Sequence, residues 1–563
     1  MLGGPDAAAY AAELPGSLLL KDVRIAWGGR ARCSQSLRQE RHNVLYRHGD
    51  DGRIVISLHR APEASDEVSG EGTRFDPLRP LASVATLDTS SLPDLFDRGL
   101  GQELDRAEVV AAGHAPLGEG PSAPSKLPDL QSARTVMTVD ARGSLLVPGG
   151  LCHPHVHLDK CFLLSRCGIH DGTFEEALKR TGEAKRDFTF EDLVERGRRL
   201  IASSLSHGVT AMRAHVEVDP TVSLTCLRAG LHLKDEFASR CTISLVAFAQ
   251  DPLFPLDDSK RNSIQDLLRQ AAIEPGVDAV GSAPYIEPRS SDSDGVKGQV
   301  EMQRRNIDLV FDLARRNGKD VDFHLDYDLD APSPDRPSLI PYVLDRALAL
   351  PSWTVAAGRR RRITLGHCTK LSVFSDDDLD DLVRRLRALS SRQTAAEDEE
   401  ANADADADAV HFVSLPPSDL YMQGRSERYA VRSRATMPAL DLVSSSGGAI
   451  NVSMGVNNVA NLFTPQGDAD PLALLPMMVA VWQKATPTDC QTLLDMVATN
   501  ARTAAGCDRL DPDATWGAEA LLDATILDGC ASVQDAALAP PFGRITIKHG
   551  KVVARRSVDS WTT

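Results

Sequence analysis

The sequence lacks the cysteine patterns that stabilise small secreted domains or hold structural zinc. Its ten cysteines are spread over 563 residues without a Cys-x-x-Cys pair and without a framework of closely spaced partners. This spacing argues against a disulfide scaffold and against a zinc ribbon. We therefore expect a reduced, intracellular protein with a cytoplasmic location.

The sequence also lacks a basic block and a long apolar run. Lys and Arg number 62 against 79 Asp and Glu, which gives a formal net charge of -17. Without a basic block the chain cannot neutralise phosphates, so we expect neither nucleic acid nor an anionic membrane as partner. No stretch approaches the ~20 apolar residues needed to cross a bilayer, and no basic start precedes an apolar run.

Length and composition predict one large domain and a smaller one. With 42% hydrophobic residues the chain can bury a large core. Short strand patterns fill residues 17–150, although 60–130 is rich in Pro, Gly, Ser and Asp and is predicted to be an irregular insertion. Strand patterns return near the C-terminus. We expect 1–144 and 504–563 to form a small composite β-sandwich domain from both chain ends.

Between residues 145 and 503 strand-like runs alternate with amphipathic segments that have apolar residues at helical spacing. Eight strands with intervening helices predict an α/β protein with a (β/α)8 TIM barrel. A doubly wound open sheet is the alternative, but no Gly-x-Gly-x-x-Gly follows the first strand and no P-loop pattern occurs. The strand-like runs are 145–157, 209–216, 241–248, 277–284, 321–327, 362–368, 410–416 and 450–457.

One stretch within the barrel region has the composition of a surface loop. Residues 393–409 are acidic and of low complexity, between a predicted helix and the seventh strand. Such a composition favours a mobile loop, and an interaction tail is the alternative.

His155 and His157 stand two residues apart at the end of the first barrel strand. Side chains alternate between the two faces of a strand, so this pair points to one side and can chelate one metal ion. Such pairs also occur as ordinary polar strand residues. The other strand ends therefore decide between the two interpretations.

Later strands end in further polar side chains. His324 ends strand five and His367 ends strand six, Gln250 follows strand three, and Arg213 and His215 end strand two. Functional side chains of a barrel gather at the C-terminal ends of its strands, so these histidines should converge on one mouth. A lone histidine is often a hydrogen-bonded core or rim residue, but the shared placement favours a metal site.

Seven segments, in this order, resemble the cytosine deaminase branch of the amidohydrolase superfamily. The resemblance covers about residues 140–550, and it implies a metal-bearing barrel with a composite β-sandwich domain. It also implies a small heterocyclic substrate and assembly into a homo-oligomer. The segments are residues 147–160, 208–219, 246–254, 321–330, 362–372, 413–425 and 454–467.

The resemblance also implies roles for individual residues. By position, His155, His157 and His324 match the family's histidine ligands for one divalent metal ion, Zn or Fe. Such a metal lowers the pKa of bound water so that hydroxide is available near neutral pH. His367 matches the histidine that orients this water, and Gln250 matches a substrate-binding glutamine.

Two positions depart from the family's pattern. Tyr327 stands where members place a glutamate after the strand-five histidine, and Asn457 stands where they place an aspartate after strand eight. Asparagine cannot accept a proton at physiological pH and is a poorer metal ligand than a carboxylate. Tyrosine, with an ordinary pKa of ~10, can donate a proton but is a poor base at neutral pH. His367, Tyr327 and Asn457 are the candidate catalytic residues, and Asn458 is a further candidate for substrate binding.

Three explanations fit these departures. In the first, the protein is a metal-dependent hydrolase whose general base is another nearby carboxylate, with His367 as a proton shuttle. In the second, it binds a metal but acts on a different substrate, which Tyr327 holds or to which Tyr327 donates a proton. The third is a catalytically silent homologue, a pseudoenzyme that binds a small molecule or serves as an assembly partner. We favour a hydrolase that cleaves a non-peptide carbon–nitrogen bond in a small cyclic amidine or amide. Nearby carboxylates are Asp159, Glu217, Asp326 and Asp328.

Weaker candidates flank these positions. Lys160 is expected to pair with an acid at the mouth, as a solvated salt bridge. Tyr421, Gln423 and Arg425 follow strand seven and either contact a ligand or form an ordinary rim loop. His153 is expected to be structural.

Overall fold

A computed structural model describes residues 17–26, 41–48, 53–60, 85–88, 106–111, 135–289, 295–350, 355–356, 359–394, 410–425, 428–447, 450–507 and 521–558. The chain forms two compact units. The first comprises Met1–Leu151, Leu205–Thr210 and Arg509–Thr563, and the second comprises Cys152–Ser204 and Ala211–Asp508. Within the described ranges, no helix is long and apolar enough to span a membrane.

Strands dominate both ends of the chain, and strands and helices alternate between them. The strands are β1 (Ser17–Ile25), β2 (Arg41–His48), β3 (Arg53–Arg60), β4 (Ala85–Asp88), β5 (Arg106–Ala111), β6 (Thr135–Asp140), β7 (Leu145–Pro148), β8 (Leu151–His157), β9 (Val209–Glu217), β10 (Thr242–Ala249), β11 (Ala279–Ser282), β12 (Asp320–Leu325), β13 (Val355–Ala356), β14 (Arg359–Arg360), β15 (Ile363–His367), β16 (Val410–Ser414), β17 (Asn451–Met454), β18 (Ala524–Leu527), β19 (Arg544–Lys548) and β20 (Lys551–Arg556). The α-helices are α1 (Phe174–Ala184), α2 (Phe190–Ser206), α3 (Thr225–Glu236), α4 (Asp258–Ile273), α5 (Gly295–Asn317), α6 (Ile340–Ala349), α7 (Asp376–Thr394), α8 (Pro416–Met422), α9 (Ala439–Ser445), α10 (Leu474–Trp482), α11 (Pro487–Val497), α12 (Thr499–Ala504) and α13 (Val533–Leu538). Short 3-10 helices cover Lys185–Asp187, Pro284–Ile286, Thr369–Val373, Tyr429–Val431 and Pro471–Ala473.

The first unit contains a ten-stranded sheet built from both chain ends. Its order is β20-β19-β18-β7-β1-β2-β3-β5, with β6 beside β1 and β4 beside β6. β7, from the N-terminal part, pairs antiparallel with β18, from the C-terminal part. Leu18 and Leu20 of β1 pack in one buried cluster with Ile545 and Ile547 of β19, because alternate positions of a strand share a face. The predicted β-domain built from both chain ends is confirmed.

Two strands of this sheet lie where the composition predicts an irregular insertion. β4 and β5 fall within residues 60–130, and the rest of that stretch lies outside the described residues. β4 pairs with β6, and β5 pairs with β3. The prediction missed these two strands because each is stabilised by pairing with a strand distant in sequence. Local composition does not reveal such a partner. Most of the acidic stretch 393–409 also lies outside the described residues, beyond the end of α7 at Thr394.

Gly149 and Gly150 separate β7 from β8, although the pattern predicts one continuous strand there. Both glycines have positive φ angles, 73° and 70°. A Cβ atom at Gly150 would lie 2.5 Å from the side chain of Thr210, so a larger residue does not fit. The extended conformation is therefore interrupted at this pair, and β7 belongs to the first sheet while β8 belongs to the barrel sheet.

The second unit is built on eight strands in the order β8-β9-β10-β11-β12-β15-β16-β17. The paired strands from β9 to β17 run parallel. Val156 and Asn457 form a parallel bridge, and the His157 N–H donates to the Asn457 carbonyl at 2.9 Å, so the first strand meets the chain just after the last. With helices between the strands, this sheet is the predicted (β/α)8 barrel, and the prediction is confirmed.

Arg213 is a fully buried cation in the middle of β9, rather than at its end. Its guanidinium donates to Asp320 at 3.0 Å and to the Thr364 hydroxyl at 2.7 Å, and lies 3.4 Å from Asp322. These carboxylates belong to β12, so one cation links distant strands of the barrel. A buried charge network of this kind is costly to break, because each remaining charge keeps its desolvation penalty.

We expect Arg213→Met to lower the free energy of unfolding by about 3–5 kcal/mol, because two buried carboxylates lose their shared cation. Arg198→Met is the matched control, since Arg198 is 46% exposed in its ion pair with Glu236. Its expected loss is below about 1 kcal/mol. Urea unfolding of both variants measures the difference, and equal losses would contradict the role assigned to Arg213.

Candidate active site

A cavity that opens to solvent lies at the C-terminal ends of the barrel strands. His157 and His367 are the last residues of β8 and β15, and Gln250 directly follows β10. Functional side chains gather at this end of such barrels. The lining residues are His157, Lys160, Phe174, Gln250, Tyr285, His324, Tyr327, His367, Ser418, Asn457, Asn458 and Phe463.

The cavity brings together most of the residues singled out from the sequence. His155 is buried next to its lining, with its ring centroid 5.3 Å from that of His157 and 4.6 Å from that of His324. Sequence reasoning missed four lining residues. Of these, Ser418 and Phe463 stand in segments that resemble the family, and no spacing signal marks the other two. The four are Phe174, Tyr285, Ser418 and Phe463.

His155, His157 and His324 form a compact donor group. One ring nitrogen from each lies within 4.8 Å of the others, and all three side chains are buried. Among the described residues, both nitrogens of His155, Nδ1 of His157 and Nε2 of His324 have no hydrogen-bond partner. Buried polar atoms are almost always paired, so this set lacks a partner that the protein does not provide. A divalent metal ion fits it.

The protonation states of these histidines also suit a metal. Burial, with the neighbouring histidines or Lys160, lowers the pKa of His155, His157 and His324 well below the ordinary value. Each ring is therefore neutral at neutral pH and keeps a lone pair. Metal ligation requires this neutral form.

A second donor group, His155, His215 and Asp322, is less suited to a metal. The rings of His155 and His215 stack with their centroids 3.9 Å apart and an angle of 28° between their planes. Stacked rings direct their in-plane lone pairs side by side rather than toward one point. In addition, Asp322 lies 3.4 Å from the Arg213 guanidinium and 3.2 Å from Nε2 of His215. The first group is the better candidate.

His367 is held from outside the cavity by a buried carboxylate. Its Nδ1 lies 2.7 Å from Oδ1 of Asp419 in α8, and the Thr436 hydroxyl donates to Oδ2 at 3.1 Å. Burial raises the pKa of Asp419, although its contact with His367 opposes that shift. Asp419 was missed from the sequence, where the same segment drew attention only to Tyr421, Gln423 and Arg425.

Neither position that departs from the family's pattern carries a charge. The Asn457 amide donates to the Ser418 hydroxyl at 2.7 Å, while its Oδ1 is buried without a hydrogen-bond partner among the described residues. The Tyr327 ring lies 4.2 Å from the ring of His367, centroid to centroid. Burial, followed by the nearby Asp419, raises the pKa of Tyr327 well above its ordinary value, so the phenol stays protonated.

Lys160 is the charged residue of the cavity lining. It donates to Oε1 of Gln250 at 3.0 Å and pairs with Glu217, which in turn pairs with Lys185 at 2.7 Å. Lys160 is only 3% exposed, so its salt bridge is buried rather than solvated as expected. Burial opposes ionisation of Glu217, but the two ammonium groups outweigh burial and lower its pKa to about 2. These linked contacts, from Lys185 through Glu217 to Lys160, hold the side-chain amide of Gln250 in position.

The carboxylates proposed as alternative bases do not line the cavity. Asp159 accepts the Glu217 N–H at 2.6 Å, and Asp328 pairs with Lys370 at 2.7 Å. Asp326 accepts the Leu339 N–H at 3.1 Å and the Ser338 hydroxyl, and burial raises its pKa to about 6. Each already has a structural partner.

The remaining candidates also lie outside the lining. Gln423 donates to the Tyr327 carbonyl at 3.1 Å and so supports the cavity wall. Arg425 stacks over the Tyr421 ring at 5.2 Å, and Nε2 of His153 lies 3.1 Å from the Ser204 hydroxyl.

Comparisons with known proteins support the fold. No family model matches the chain. Over 341 residues, 59% of this chain and 68% of the relative, it is 24% identical to the N-isopropylammelide isopropyl amidohydrolase of Pseudomonas sp. (strain ADP). Its structure is similar to that of 5-methylcytosine deaminase from Klebsiella pneumoniae liganded with phosphonocytosine, with 21% identity, a TM-score of 0.63, and coverage of 97% of this chain and 100% of that one. It is also similar to atrazine chlorohydrolase from Arthrobacter aurescens TC1 complexed with zinc, with 13% identity, a TM-score of 0.52, and coverage of 95% and 96%.

These likenesses define the class of structure to which the chain belongs. It is a (β/α)8-barrel protein with a separate sheet domain, and it shares this fold with the 5-methylcytosine deaminase and the atrazine chlorohydrolase. Its cavity and buried histidines lie at the end of the barrel where such folds carry their sites.

The stability that Glu217 contributes should depend on pH. Its folded-state pKa of about 2 is below its ordinary 4.5, so its contribution is complete above pH 4.5 and is lost as the pH falls toward 2. We expect Glu217→Gln to destabilise the protein strongly at pH 7 and less at pH 3. Urea unfolding at both pH values measures this, with Glu301→Gln as the exposed control. A loss independent of pH would contradict the assigned charge network.

Proposed function

We propose that the chain is a metal-dependent amidohydrolase that cleaves a non-peptide carbon–nitrogen bond in a small nitrogen heterocycle. The observation that carries this proposal is the donor group His155, His157 and His324, whose unpaired ring nitrogens lie at the cavity formed by the C-terminal strand ends. The relatives support it, because one is an amidohydrolase and another is a deaminase liganded with phosphonocytosine. Assembly into a homo-oligomer and a cytoplasmic location stay predictions.

The metal would be held by His155, His157 and His324. Three neutral imidazoles suit Zn or Fe, and the zinc in the atrazine chlorohydrolase structure favours Zn. When bound, the metal would lower the pKa of water and so supply the nucleophile. Asn457, whose buried Oδ1 lacks a partner among the described residues, is a neutral neighbour of this group.

The substrate would lie between aromatic walls. The Phe174 ring centroid lies 5.7 Å from that of Tyr327 and 5.9 Å from that of Phe463, while Tyr285 lies 5.5 Å from Tyr327. Such rings form flat apolar surfaces on which a planar heterocycle stacks. The amides of Gln250 and Asn458 lie in the same lining and would bind ring nitrogen and oxygen atoms.

Proton transfer would be carried out by two side chains of the lining, Tyr327 and His367. The Tyr327 phenol, protonated at neutral pH, can donate a hydrogen bond but cannot act as base. His367 lines the cavity with its Nδ1 engaged by Asp419, so its Nε2 is the nitrogen left to exchange a proton with water or with a leaving group.

One observation favours a catalytically silent, ligand-binding homologue as the second candidate. The cavity lining contains no carboxylate among the described residues, although the family places two there. Both candidates require the cavity to bind a small heterocycle. They differ in whether the bound ring is turned over.

Metal analysis tests the donor group. We expect about one equivalent of Zn or Fe per chain, and less than about a fifth of that in His155→Ala, His157→Ala or His324→Ala. His232→Ala is the matched control, because the His232 side chain is 46% exposed and should leave the metal content unchanged. A purified wild-type protein without stoichiometric Zn, Fe or Mn would contradict the hydrolase.

Turnover separates the two candidates. We expect hydrolysis of at least one amino- or alkylamino-substituted heterocycle from a panel that includes cytosine and N-isopropylammelide. Asn457→Asp should lower this turnover by at least about tenfold, because an added carboxylate changes the charge of a neutral site. No turnover by the wild type, together with cytosine deamination by Asn457→Asp combined with Tyr327→Glu, would instead establish the silent homologue.

A further inference from the structure

We propose that Asp419 is the positioning residue that makes His367 the proton acceptor of this cavity. The proposal rests on the proposed function and names the acid–base group of the same site. Positions 327 and 457 carry no carboxylate. The proposal assigns the acid–base function to His367 instead, with the Asp419 carboxylate on the side of His367 that faces away from the cavity.

The contact fixes the tautomer of His367. Oδ1 of Asp419 lies 2.7 Å from Nδ1 of His367, and a carboxylate can only accept a hydrogen bond. Nδ1 therefore carries the hydrogen, and Nε2 carries the lone pair. Because His367 lines the cavity, its Nε2 can accept a proton from a molecule bound there.

Asp419 is itself held in place from several directions. The Thr436 hydroxyl donates to Oδ2 at 3.1 Å, and the Leu415 N–H lies 3.4 Å from the same oxygen. The backbone N–H of Asp419 donates to the Leu415 carbonyl at 3.0 Å, which anchors the start of α8. The carboxylate is completely buried, so solvent does not compete for His367. Such supporting contacts orient functional histidines.

No other described carboxylate has this relation to a cavity residue that can accept a proton. Asp159, Asp326 and Asp328 are bound by backbone N–H groups, a hydroxyl or a lysine outside the lining. Glu217 contacts the lining only through Lys160, and an ammonium group donates hydrogen bonds but accepts none.

The chemical step balances with water, the heterocycle and His367, and the metal would only make the water more acidic. An O–H bond of water breaks, its proton passes to Nε2 of His367, and the oxygen bonds to the ring carbon as an electron pair moves onto the adjacent ring nitrogen. The imidazolium then returns the proton to the leaving nitrogen. The carbon–nitrogen bond to it breaks, and the electron pair on the ring nitrogen re-forms the double bond to the ring carbon. Asp419 stabilises the imidazolium and does not itself take the proton.

Nitrogen-15 NMR of the histidine-labelled, full-length protein tests the positioning without requiring turnover. The wild type should show His367 as the tautomer with hydrogen on Nδ1, with the signal assigned by its loss in His367→Gln. Asp419→Asn should shift His367 toward the other tautomer, because an amide can also donate. A wild-type His367 with hydrogen on Nε2, or a tautomer unchanged in Asp419→Asn, would overturn the proposal.

Kinetics of the metal-loaded enzyme give the second readout. Asp419→Asn should lower kcat by about 100- to 10,000-fold and change KM by less than about threefold. Metal content should stay at the wild-type level, and Asp441→Asn, which alters a carboxylate that is 58% exposed in its pair with Lys484, should leave kcat unchanged. A KM effect with constant kcat would contradict the proposal. Absence of metal or of turnover in the wild type would contradict the proposed function, while the tautomer of His367 still decides the role of Asp419.

Discussion

The site depends on imidazole rings buried side by side without enough hydrogen-bond partners among the described residues. His155, His157 and His324 come from the first and fifth strands of the barrel, and parallel strands hold their rings within 4.8 Å, nitrogen to nitrogen. Burial keeps the rings neutral, and their unpaired nitrogens carry a desolvation cost that hydrogen bonds do not offset. Protein interiors rarely tolerate such a cost without a compensating ligand. This constraint explains why the neighbouring residues are arranged as they are.

Around the donor group, the negative charges of the described residues do not line the cavity and reach it only through another side chain. Asp419 reaches it through His367, and Glu217 reaches it through Lys160. The lining itself presents amides, phenols and aromatic rings, so a neutral planar ligand meets no unpaired negative charge there. This distribution differs from the pattern that the sequence resemblance implies, in which positions 327 and 457 carry carboxylates. Under the proposed function, the three histidines would hold the metal, and His367 with Asp419 would handle the proton in place of those carboxylates.

The sequence predicted the parts of the molecule that follow from local periodicity. The period of two places His155 and His157 on one side of β8, and the strand–helix alternation predicts the barrel that carries His324 and His367. Periodicity cannot show which residues meet across the cavity. Asp419 is 52 residues from His367 along the chain, and its role depends on where α8 lies. The aromatic walls were missed for the same reason, since Phe174 and Tyr285 belong to elements that meet only in the folded barrel.

Anomalous X-ray scattering from crystals of the purified protein tests the central claim most directly. Data collected on both sides of the zinc and iron absorption edges would locate and identify any bound metal. The account predicts one strong peak within ~2.0–2.3 Å of a ring nitrogen of each of His155, His157 and His324. No peak at this position, or a peak on His215 and Asp322 instead, would contradict it.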